Sequence, residues 1–270
     1  MLGTSIGKAE EQGVFCAERQ LVAAPLLANV TGGAAAFSTS SSLQPEPPSH
    51  AAPPPAKGVS LTPPMGFNSW NFYHCNIDER AIKQIALTLK SSGLAAKGYR
   101  YVNIDDCWQV AREPETGIIV PDPARFPSGL KAIADWLHER EMMFGIYTAA
   151  HGTTCQSRPG SYLYEQIDSR AYCEFGIDYL KIDQCGGDSY EHHHLDKNIS
   201  WLAFQRGFKE CLQSTGRAIV QSVESCGTVD GCGEWIANCA NLWRTGSDLE
   251  ATWGSVMKVS QAHKGGGEGI

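Results

Sequence analysis

From Leu61 onward, short apolar runs alternate with longer amphipathic segments, and this alternation predicts a parallel sheet flanked by helices. Short apolar runs that end on a polar residue are typical of buried strands, whereas apolar residues three and four apart are typical of helices. Strands are predicted at 65–68, 101–105, 144–148, 179–183, 218–222 and 242–244; helices are predicted at 78–92, 128–140 (with Ser128 as N-cap), 162–175, within 192–215 and at 253–261. Strands that alternate with helices in this way form βαβ units.

The distribution of polar residues favours a barrel over an open sheet. In a (β/α)8 TIM barrel the chemistry lies at the C-terminal strand ends, whereas a doubly wound sheet places its site at one switch point. Polar residues follow nearly every predicted strand: Asn68, Asp105, Tyr147, Asp183, Ser222 and Asp248. A complete barrel needs about 250 residues, and 210 follow residue 60. We therefore expect an incomplete barrel of about six of the eight units.

Residues 1–60 differ in composition from the rest of the chain. Ala, Ser and Pro dominate from Gly32, with proline runs near residue 50. Such a segment buries too little apolar surface to offset its ordering entropy. We expect a disordered tail or linker at 1–60 and a partial barrel domain at 61–270.

Composition narrows the class of partner and the compartment. The net charge of −7 provides no basic stripe for nucleic acid, and no apolar run approaches the ~20 residues of a membrane span. Ten cysteines without paired CxxC spacing indicate disulfides in an oxidising compartment, with free core cysteines as the alternative. The N-x-[ST] sites at Asn29 and Asn198 also favour a secretory route, although an ordinary signal peptide is not visible. We expect a secreted, cell-wall, vacuolar or lysosomal protein.

Two aspartates supply the candidate chemistry. Asp183 and Asp248 each lie at or beyond the end of a predicted strand, with Lys181 and Arg244 upstream. A retaining glycosidase needs one ionised carboxylate as nucleophile and one protonated carboxyl as acid, about 5 Å apart. Lys181 shares a strand face with Asp183 and would keep it ionised, so Asp183 is the predicted nucleophile and Asp248 the proton donor. Taken alone, either aspartate could instead cap the next helix.

Further polar and aromatic residues allow sugar binding or a metal site. Asp105 and Asp106 lack a nearby third ligand, so sugar hydroxyls are the better partners. Trp70 and Trp108 offer faces for a pyranose ring, or pack in the core. Three consecutive histidines, 192–194, cannot all face one ion on a helix or strand, and a solvated loop is expected there.

Several long motifs resemble glycoside hydrolase family 27, the melibiase or α-galactosidase family. They occur in the family's order at 62–71 (TPPMGFNSWN), 101–108 (YVNIDDCW), 126–130 (FPSGL), 144–147 (FGIY), 159–161 (PGS), 176–183 (GIDYLKID) and 243–244 (WR). The resemblance implies a TIM-barrel glycosidase that releases terminal α-linked galactose, with Asp183 as nucleophile and Asp248 as acid/base. Galactosyl oligosaccharides, glycolipids or polysaccharides are the implied substrates, and no metal or organic cofactor is implied.

The resemblance also implies binding roles and disulfides. Trp70 would stack on the galactose and Asp105 and Asp106 would bind its O4 and O6 side. Tyr147, Lys181, Arg244 and Cys155 would line the rest of the sugar site. Disulfides Cys75–Cys107 and Cys155–Cys185 follow from the family pattern, and Cys226–Cys232 is a further, weaker hypothesis.

Three departures leave alternatives open. Phe67 replaces a family Trp, Glu224-Ser225-Cys226 replaces Cys-Glu-Trp where the sugar's 2-substituent should lie, and the later Trp-Asn-Asp-Pro-Asp-Met segment is absent from this sequence. An α-N-acetylgalactosaminidase or a β-L-arabinopyranosidase therefore remains an alternative within the family. Outside it, a non-catalytic carbohydrate-binding or misfolded product is the competing hypothesis.

Overall fold

Six parallel strands form the centre of the fold. The computed structural model describes residues 60–193, 198–224, 240–244 and 248–262. The strands are β1 (Gly66–Asn68), β2 (Tyr101–Asn103), β5 (Met143–Ala149), β6 (Tyr179–Asp183), β7 (Val220–Val223) and β8 (Leu242–Trp243). Their order in the sheet is β1-β2-β5-β6-β7-β8, so the strands of this sheet lie side by side in the order in which they occur in the chain.

The strand order distinguishes the two architectures that the sequence allowed. A doubly wound sheet reverses direction at a switch point, whereas a barrel adds its strands in sequence. Every neighbouring pair here is parallel and the order does not reverse. The fold is a half-barrel, and the predicted partial TIM barrel is confirmed.

Helices cover the outside of the sheet. They are α1 (Trp70–Tyr73), α2 (Glu79–Ser91), α3 (Gly129–His138), α4 (Glu165–Phe175), α5 (Asn198–Thr215) and α6 (Trp253–Ala262), with short 3-10 turns at Ala95–Lys97 and Glu191–His193. The apolar faces predicted for two of them are buried: Ile82, Ile85, Ala86 and Leu89 on α2, and Leu130, Ile133, Ala134 and Leu137 on α3. Helix α4 packs against both α3 and α5.

An antiparallel hairpin between β2 and α3 was not predicted. It comprises β3 (Gln109–Arg112) and β4 (Ile119–Pro121). Arg112 extends from β3 to Asp168 on α4, with two nitrogen–oxygen distances of 2.7 Å. This bidentate pair is largely buried and attaches the hairpin to the barrel. The two partners lie 56 residues apart in the chain, so no local pattern indicates their contact.

The predicted N-cap residue of α3 is confirmed, although it caps without its side chain. Ser128 occupies the N-cap position, but its side chain makes no capping hydrogen bond. Instead the Ser128 hydroxyl donates to Glu79 Oε1 at 2.9 Å, and its backbone N–H donates to Glu79 Oε2 at 3.1 Å. Glu79 therefore links the starts of α2 and α3. Helix α2 is capped by Asp78, whose side chain accepts from the Ala81 N–H at 2.7 Å.

Three disulfides lie in the described residues. Cys75–Cys107 and Cys155–Cys185 are the pairs that the family resemblance implied, and Cys173–Cys211 was not predicted. Cys173 lies on α4 and Cys211 on α5, so this bond joins two packed helices.

Some predictions concern residues that the structure does not describe. The tail at 1–60 lies outside the described residues except for residue 60, as do Cys226 and Cys232. Within the described ranges, no helix has the length and apolar character needed to cross a membrane.

Candidate active site

The carboxyl end of β6 places Asp183 at the centre of the candidate site. The Asp183 side chain is largely buried. Its Oδ2 accepts a hydrogen bond from the Tyr147 hydroxyl at 2.9 Å and lies 3.9 Å from Lys181 Nζ. Its Oδ1 accepts from the Gln184 N–H at 2.7 Å. Two hydrogen-bond donors and a nearby ammonium group thus fix the position of the carboxylate.

Sheet register explains why these side chains meet. Tyr147 on β5 pairs with Lys181 on β6, and Ala149 pairs with Asp183. Residues two apart on a strand share a face, so Lys181 and Asp183 project to the same side. The Lys181 ammonium also lies 5.0 Å from the centre of the Tyr147 ring.

Tyr147 is held in its protonated form. Burial is the largest cause that raises the pKa of its hydroxyl, and the Asp183 carboxylate adds to it. The backbone carbonyl of Tyr147 accepts from the Trp108 indole N–H at 2.7 Å. Trp108 is fully buried, so it packs in the core and does not offer a face to a sugar ring.

Asp105 connects β1, β2 and β6. Its Oδ2 accepts from Lys181 Nζ at 3.1 Å and from Asn68 Nδ2 at 2.9 Å. The Oδ1 of the same Asn68 accepts from the Trp70 N–H at 2.9 Å. Asn68 therefore contacts both the buried Asp105 carboxylate and the start of α1. That helix carries Trp70, which is partly exposed.

Asp106 has a different environment from Asp105. Its carboxylate accepts from the Cys107 N–H at 2.7 Å, the Thr154 hydroxyl at 2.8 Å and the Gln156 N–H at 2.9 Å. Burial is the largest influence on the pKa of Asp106 and raises it, while these three hydrogen bonds act in the opposite direction. Asp106 thus holds the loop that carries Cys155, and its expected contact with a sugar stays a prediction.

The loops after β5 and β6 are joined by the Cys155–Cys185 disulfide beside Asp183. Cys155 Sγ lies 3.5 Å from Asp183 Oδ2 and 3.3 Å from the Tyr147 hydroxyl oxygen. Cys155 is exposed. The second disulfide, Cys75–Cys107, joins the segments that follow α1 and β2.

Arg244 and Asp248 form a second group beyond β8. Arg244 Nη2 donates to Asp248 Oδ1 at 2.6 Å, and Arg244 Nη1 contacts Glu224 Oε1. The Asp248 side chain is 86% exposed, whereas that of Glu224 is mostly buried. Asn71 on α1 donates from Nδ2 to the Leu249 carbonyl oxygen at 3.4 Å.

Glu224 follows β7 at the position in the sheet register that corresponds to Asp183 on β6. Val223 pairs with Ile182 on β6 and with Trp243 on β8. The next residues along these strands are Asp183, Glu224 and Arg244. Sequence reasoning noted Glu224 only as a departure from the family pattern, and its contact with Arg244 was not foreseen.

The histidine run does not build a metal site within the described residues. His193 Nε2 lies 2.9 Å from Asp188 Oδ2, and His192 Nδ1 lies 3.6 Å from Asp188 Oδ1. All three side chains are exposed, and the hydrogen bond from His193 is the largest cause that lowers the pKa of Asp188. This agrees with a solvated loop at 192–193; His194 is not described.

Two polar residues of the site were missed from the sequence. Thr154 and Gln156 hold Asp106, yet neither follows a strand directly, and each contacts it across about 50 residues of chain. Their only signal in the sequence is their position on either side of Cys155.

Comparisons with known proteins agree with the geometry. The family model described as Alpha galactosidase A matches residues 62–265. An alpha-galactosidase of Coffea arabica is 39% identical over 202 residues, covering 74% of this chain and 51% of the relative. Alpha-galactosidase 3 of Arabidopsis thaliana is 38% identical, covering 88% of this chain and 52% of the relative.

Solved structures show the same fold. The alpha-galactosidase of Saccharomyces cerevisiae with raffinose matches at a TM-score of 0.62 and 32% identity, covering 72% of this chain and 42% of that one. The chain spans about half the length of the curated relatives it matches. Because the family model covers most of the chain and the half-barrel matches its members, the chain belongs to the alpha galactosidase A family, glycoside hydrolase family 27.

Proposed function

We propose that this chain carries the catalytic residues of a retaining α-galactosidase. The observation that carries the proposal is the Asp183 carboxylate. It is buried at a strand end, hydrogen-bonded by Tyr147 and accompanied by Lys181. A carboxylate positioned in this way suits nucleophilic attack on an anomeric carbon.

The reaction proceeds by two displacements. In the first, an Asp183 oxygen attacks the anomeric carbon while the bond to the leaving oxygen breaks and Asp248 donates a proton to that oxygen. In the second, Asp248 takes a proton from water, the water oxygen attacks the same carbon, and Asp183 leaves. Two inversions at one carbon give net retention of configuration.

The substrate class follows from the relatives and from the space near Asp105. The Saccharomyces cerevisiae structure was solved with raffinose, a sugar with a terminal α-linked galactose. Asp105 and Asp106 have short side chains, which leaves room for the C6 arm of galactose. We therefore favour terminal α-galactosides of oligosaccharides, glycolipids or polysaccharides over β-L-arabinopyranosides.

The disulfides are the basis for a proposed cellular compartment. Three disulfides fit an oxidising environment. We propose secretion, or delivery to the cell wall, vacuole or lysosome.

Hydrolysis of p-nitrophenyl α-D-galactopyranoside tests the activity. We expect release of p-nitrophenol, and Asp183→Asn should lower kcat/KM by about 10⁴-fold or more, as in other hydrolases that lose a central catalytic group. Asp188→Asn is the matched control, because Asp188 is an exposed aspartate on the loop that follows β6. Galactose binding without turnover in the parent chain would identify a binding module instead.

Two further substrates separate the family alternatives. Faster hydrolysis of the 2-acetamido-2-deoxy-galactoside would identify an α-N-acetylgalactosaminidase. Faster hydrolysis of the β-L-arabinopyranoside would identify an arabinopyranosidase.

A further inference from the structure

The Cys155–Cys185 disulfide is placed where its two sulfurs and a carboxylate converge. Cys155 Sγ lies 3.5 Å from Asp183 Oδ2, and Cys185 Sγ lies 3.8 Å from the Tyr147 hydroxyl oxygen. The donor atoms of Cys155, Asp183 and Cys185 all lie within 4.8 Å of one another. Within the described ranges, no other set of three or more His, Cys, Asp or Glu side chains meets this condition.

Backbone hydrogen bonds hold the two loops together independently of the disulfide. The Ala150 N–H donates to the Asp183 carbonyl at 2.8 Å, and the Thr153 N–H donates to the Gly186 carbonyl at 3.0 Å. The Gly152 N–H donates to the carbonyl of Asp188 at 2.7 Å. These bonds precede Cys155 on one loop and lie on both sides of Cys185 on the other, so the two loops would stay together after the bond between the sulfurs is broken.

Cys155 is also accessible to a reductant. It is exposed at the mouth of the site, whereas Cys107 and Cys211 in the other two pairs are buried. Thiol–disulfide chemistry depends on access to a sulfur atom. The Cys155–Cys185 bond is therefore expected to be reduced before the other two.

We propose that, once reduced, Cys155 and Cys185 join Asp183 to form a site for a thiophilic divalent cation such as Zn²⁺. Zinc bonds to thiolate at about 2.3 Å in tetrahedral geometry, which places two sulfurs roughly 3.8 Å apart. Breaking the disulfide frees the two sulfurs to separate to that spacing. A water molecule takes the fourth position.

Charge and ligand type favour this class of ion. Two thiolates and the Asp183 carboxylate carry three negative charges, and Lys181 Nζ lies 3.9 Å from Asp183 Oδ2. Asp105, which pairs with Lys181 at 3.1 Å, adds a fourth negative charge, so Lys181 and a divalent cation together offset all but one of the negative charges. Thiolates select zinc-like ions over Mg²⁺ and Ca²⁺, which prefer oxygen ligands.

The reduction can be driven by a tertiary phosphine. The phosphine supplies two electrons, the sulfur–sulfur bond breaks, and the phosphine becomes a phosphine oxide with the oxygen of a water molecule. The two protons of that water pass to the two sulfurs. Both thiol protons are released when the cation binds.

A cation bound at this site would inhibit hydrolysis. The cation takes Asp183 Oδ2, which the proposed mechanism needs as nucleophile. This consequence rests on the proposed function, but cation binding itself does not.

Titration with Co²⁺ tests the site without substrate. Co²⁺ replaces Zn²⁺ in tetrahedral thiolate sites and gives sulfur-to-metal charge-transfer absorption. We expect that absorption to saturate at one Co²⁺ per chain after phosphine treatment and to be absent from the oxidised chain. Cys155→Ser should abolish it, whereas Cys173→Ser, which opens the disulfide between α4 and α5, should not.

The Asp183→Asn variant distinguishes Co²⁺ binding at the folded three-ligand site from binding by the two thiols alone. In the folded site, loss of the carboxylate should weaken Co²⁺ binding by about 10-fold or more, since even outer ligand partners contribute that much. Equal affinities of the reduced parent and reduced Asp183→Asn would overturn the proposal, even if reduction unfolds the chain.

Activity is measured separately on the same samples. Zn²⁺ should inhibit only the reduced chain, and a chelator should reverse the inhibition. If the reduced chain binds Co²⁺ but the oxidised chain does not hydrolyse the galactoside, the proposed function is rejected and the cation site is supported. If the oxidised chain hydrolyses the galactoside but the reduced chain does not bind Co²⁺, the cation site is rejected and the proposed function is supported.

Discussion

Two buried carboxylates, after β2 and at the end of β6, have different environments that depend on their hydrogen-bond donors. Asp106 receives its hydrogen bonds from one backbone turn and the Cys155 loop, whereas Asp183 receives a tyrosine hydroxyl and faces a lysine. The first arrangement fixes a loop. The second holds a carboxylate beside an ammonium group, an arrangement that suits the proposed role of Asp183 as nucleophile.

Tyr147→Phe tests how much the hydroxyl contributes. It removes the donor to Asp183 Oδ2 and keeps the buried ring, so we expect kcat to fall by about 10²-fold, as for other single donors to a catalytic charge. Steady-state kinetics on the aryl galactoside measure the change. Tyr172→Phe, a buried tyrosine on α4, is the control. Equal losses in both variants would assign the effect to the core.

The proximity of two site residues was predictable where the alternation of side chains along one strand placed a cation and a carboxylate on the same face. Lys181 and Asp183 are two apart, so their shared face follows from the pleat. Glu224 and Arg244 lie on separate strands, and their contact depends on the register between β7 and β8. Short strands do not reveal their register in sequence, so this pair was not predicted.

At the scale of elements, amphipathic helices were predictable and the hairpin was not. Helices α2 and α3 have apolar residues on one face at the helical period. The β3–β4 hairpin has strands of four and three residues and is fixed by the Arg112–Asp168 pair. Such short strands resemble loops in sequence, and a distant ion pair determines where they lie.

The contact between α4 and α5 gives a test at this scale. A Cβ added to Gly207 on α5 would lie 1.9 Å from the Ser169 hydroxyl oxygen on α4. Gly207→Ala should therefore separate the helices and lower the free energy of unfolding by about 1–3 kcal/mol, as overpacking does.

Gly254→Ala on α6 is the matched control, because no heavy atom lies within 4 Å of its added Cβ. Chemical denaturation measures both variants. A Gly207→Ala variant as stable as Gly254→Ala would show that the two helices are not in close contact.

At the scale of the whole molecule, the half-barrel brings its polar residues to one edge of the sheet. Alternating strands and helices predicted both the parallel sheet and this edge. The periodicity did not predict how far the sheet curves or which loops meet. Those features depend on contacts such as Cys155–Cys185, which the family resemblance implied and local pattern does not.

Stability should respond to pH through one buried carboxyl. Burial, the largest cause, raises the pKa of Glu165 on α4 to about 7 from 4.5. Between these values the folded chain retains a proton that the unfolded chain releases, so the contribution of Glu165 to stability decreases as pH rises. The full decrease is at most about 3 kcal/mol.

Thermal unfolding of Glu165→Gln from pH 4 to 8 measures this effect. Relative to the parent chain, the variant should gain stability as pH rises through this window and level off above pH 7. Glu174→Gln, an exposed glutamate on the same helix, should run parallel to the parent chain. A constant difference between Glu165→Gln and the parent would mean that Glu165 ionises alike in both states.

The central claim is that Asp183 forms a covalent bond to the sugar. A 2-deoxy-2-fluoro galactosyl donor with an activated leaving group traps such an intermediate, and peptide mass spectrometry locates it. We predict one modified peptide, with the sugar on Asp183. Modification of a different carboxylate, or turnover of the α-galactoside without any trapped sugar, would contradict the claim.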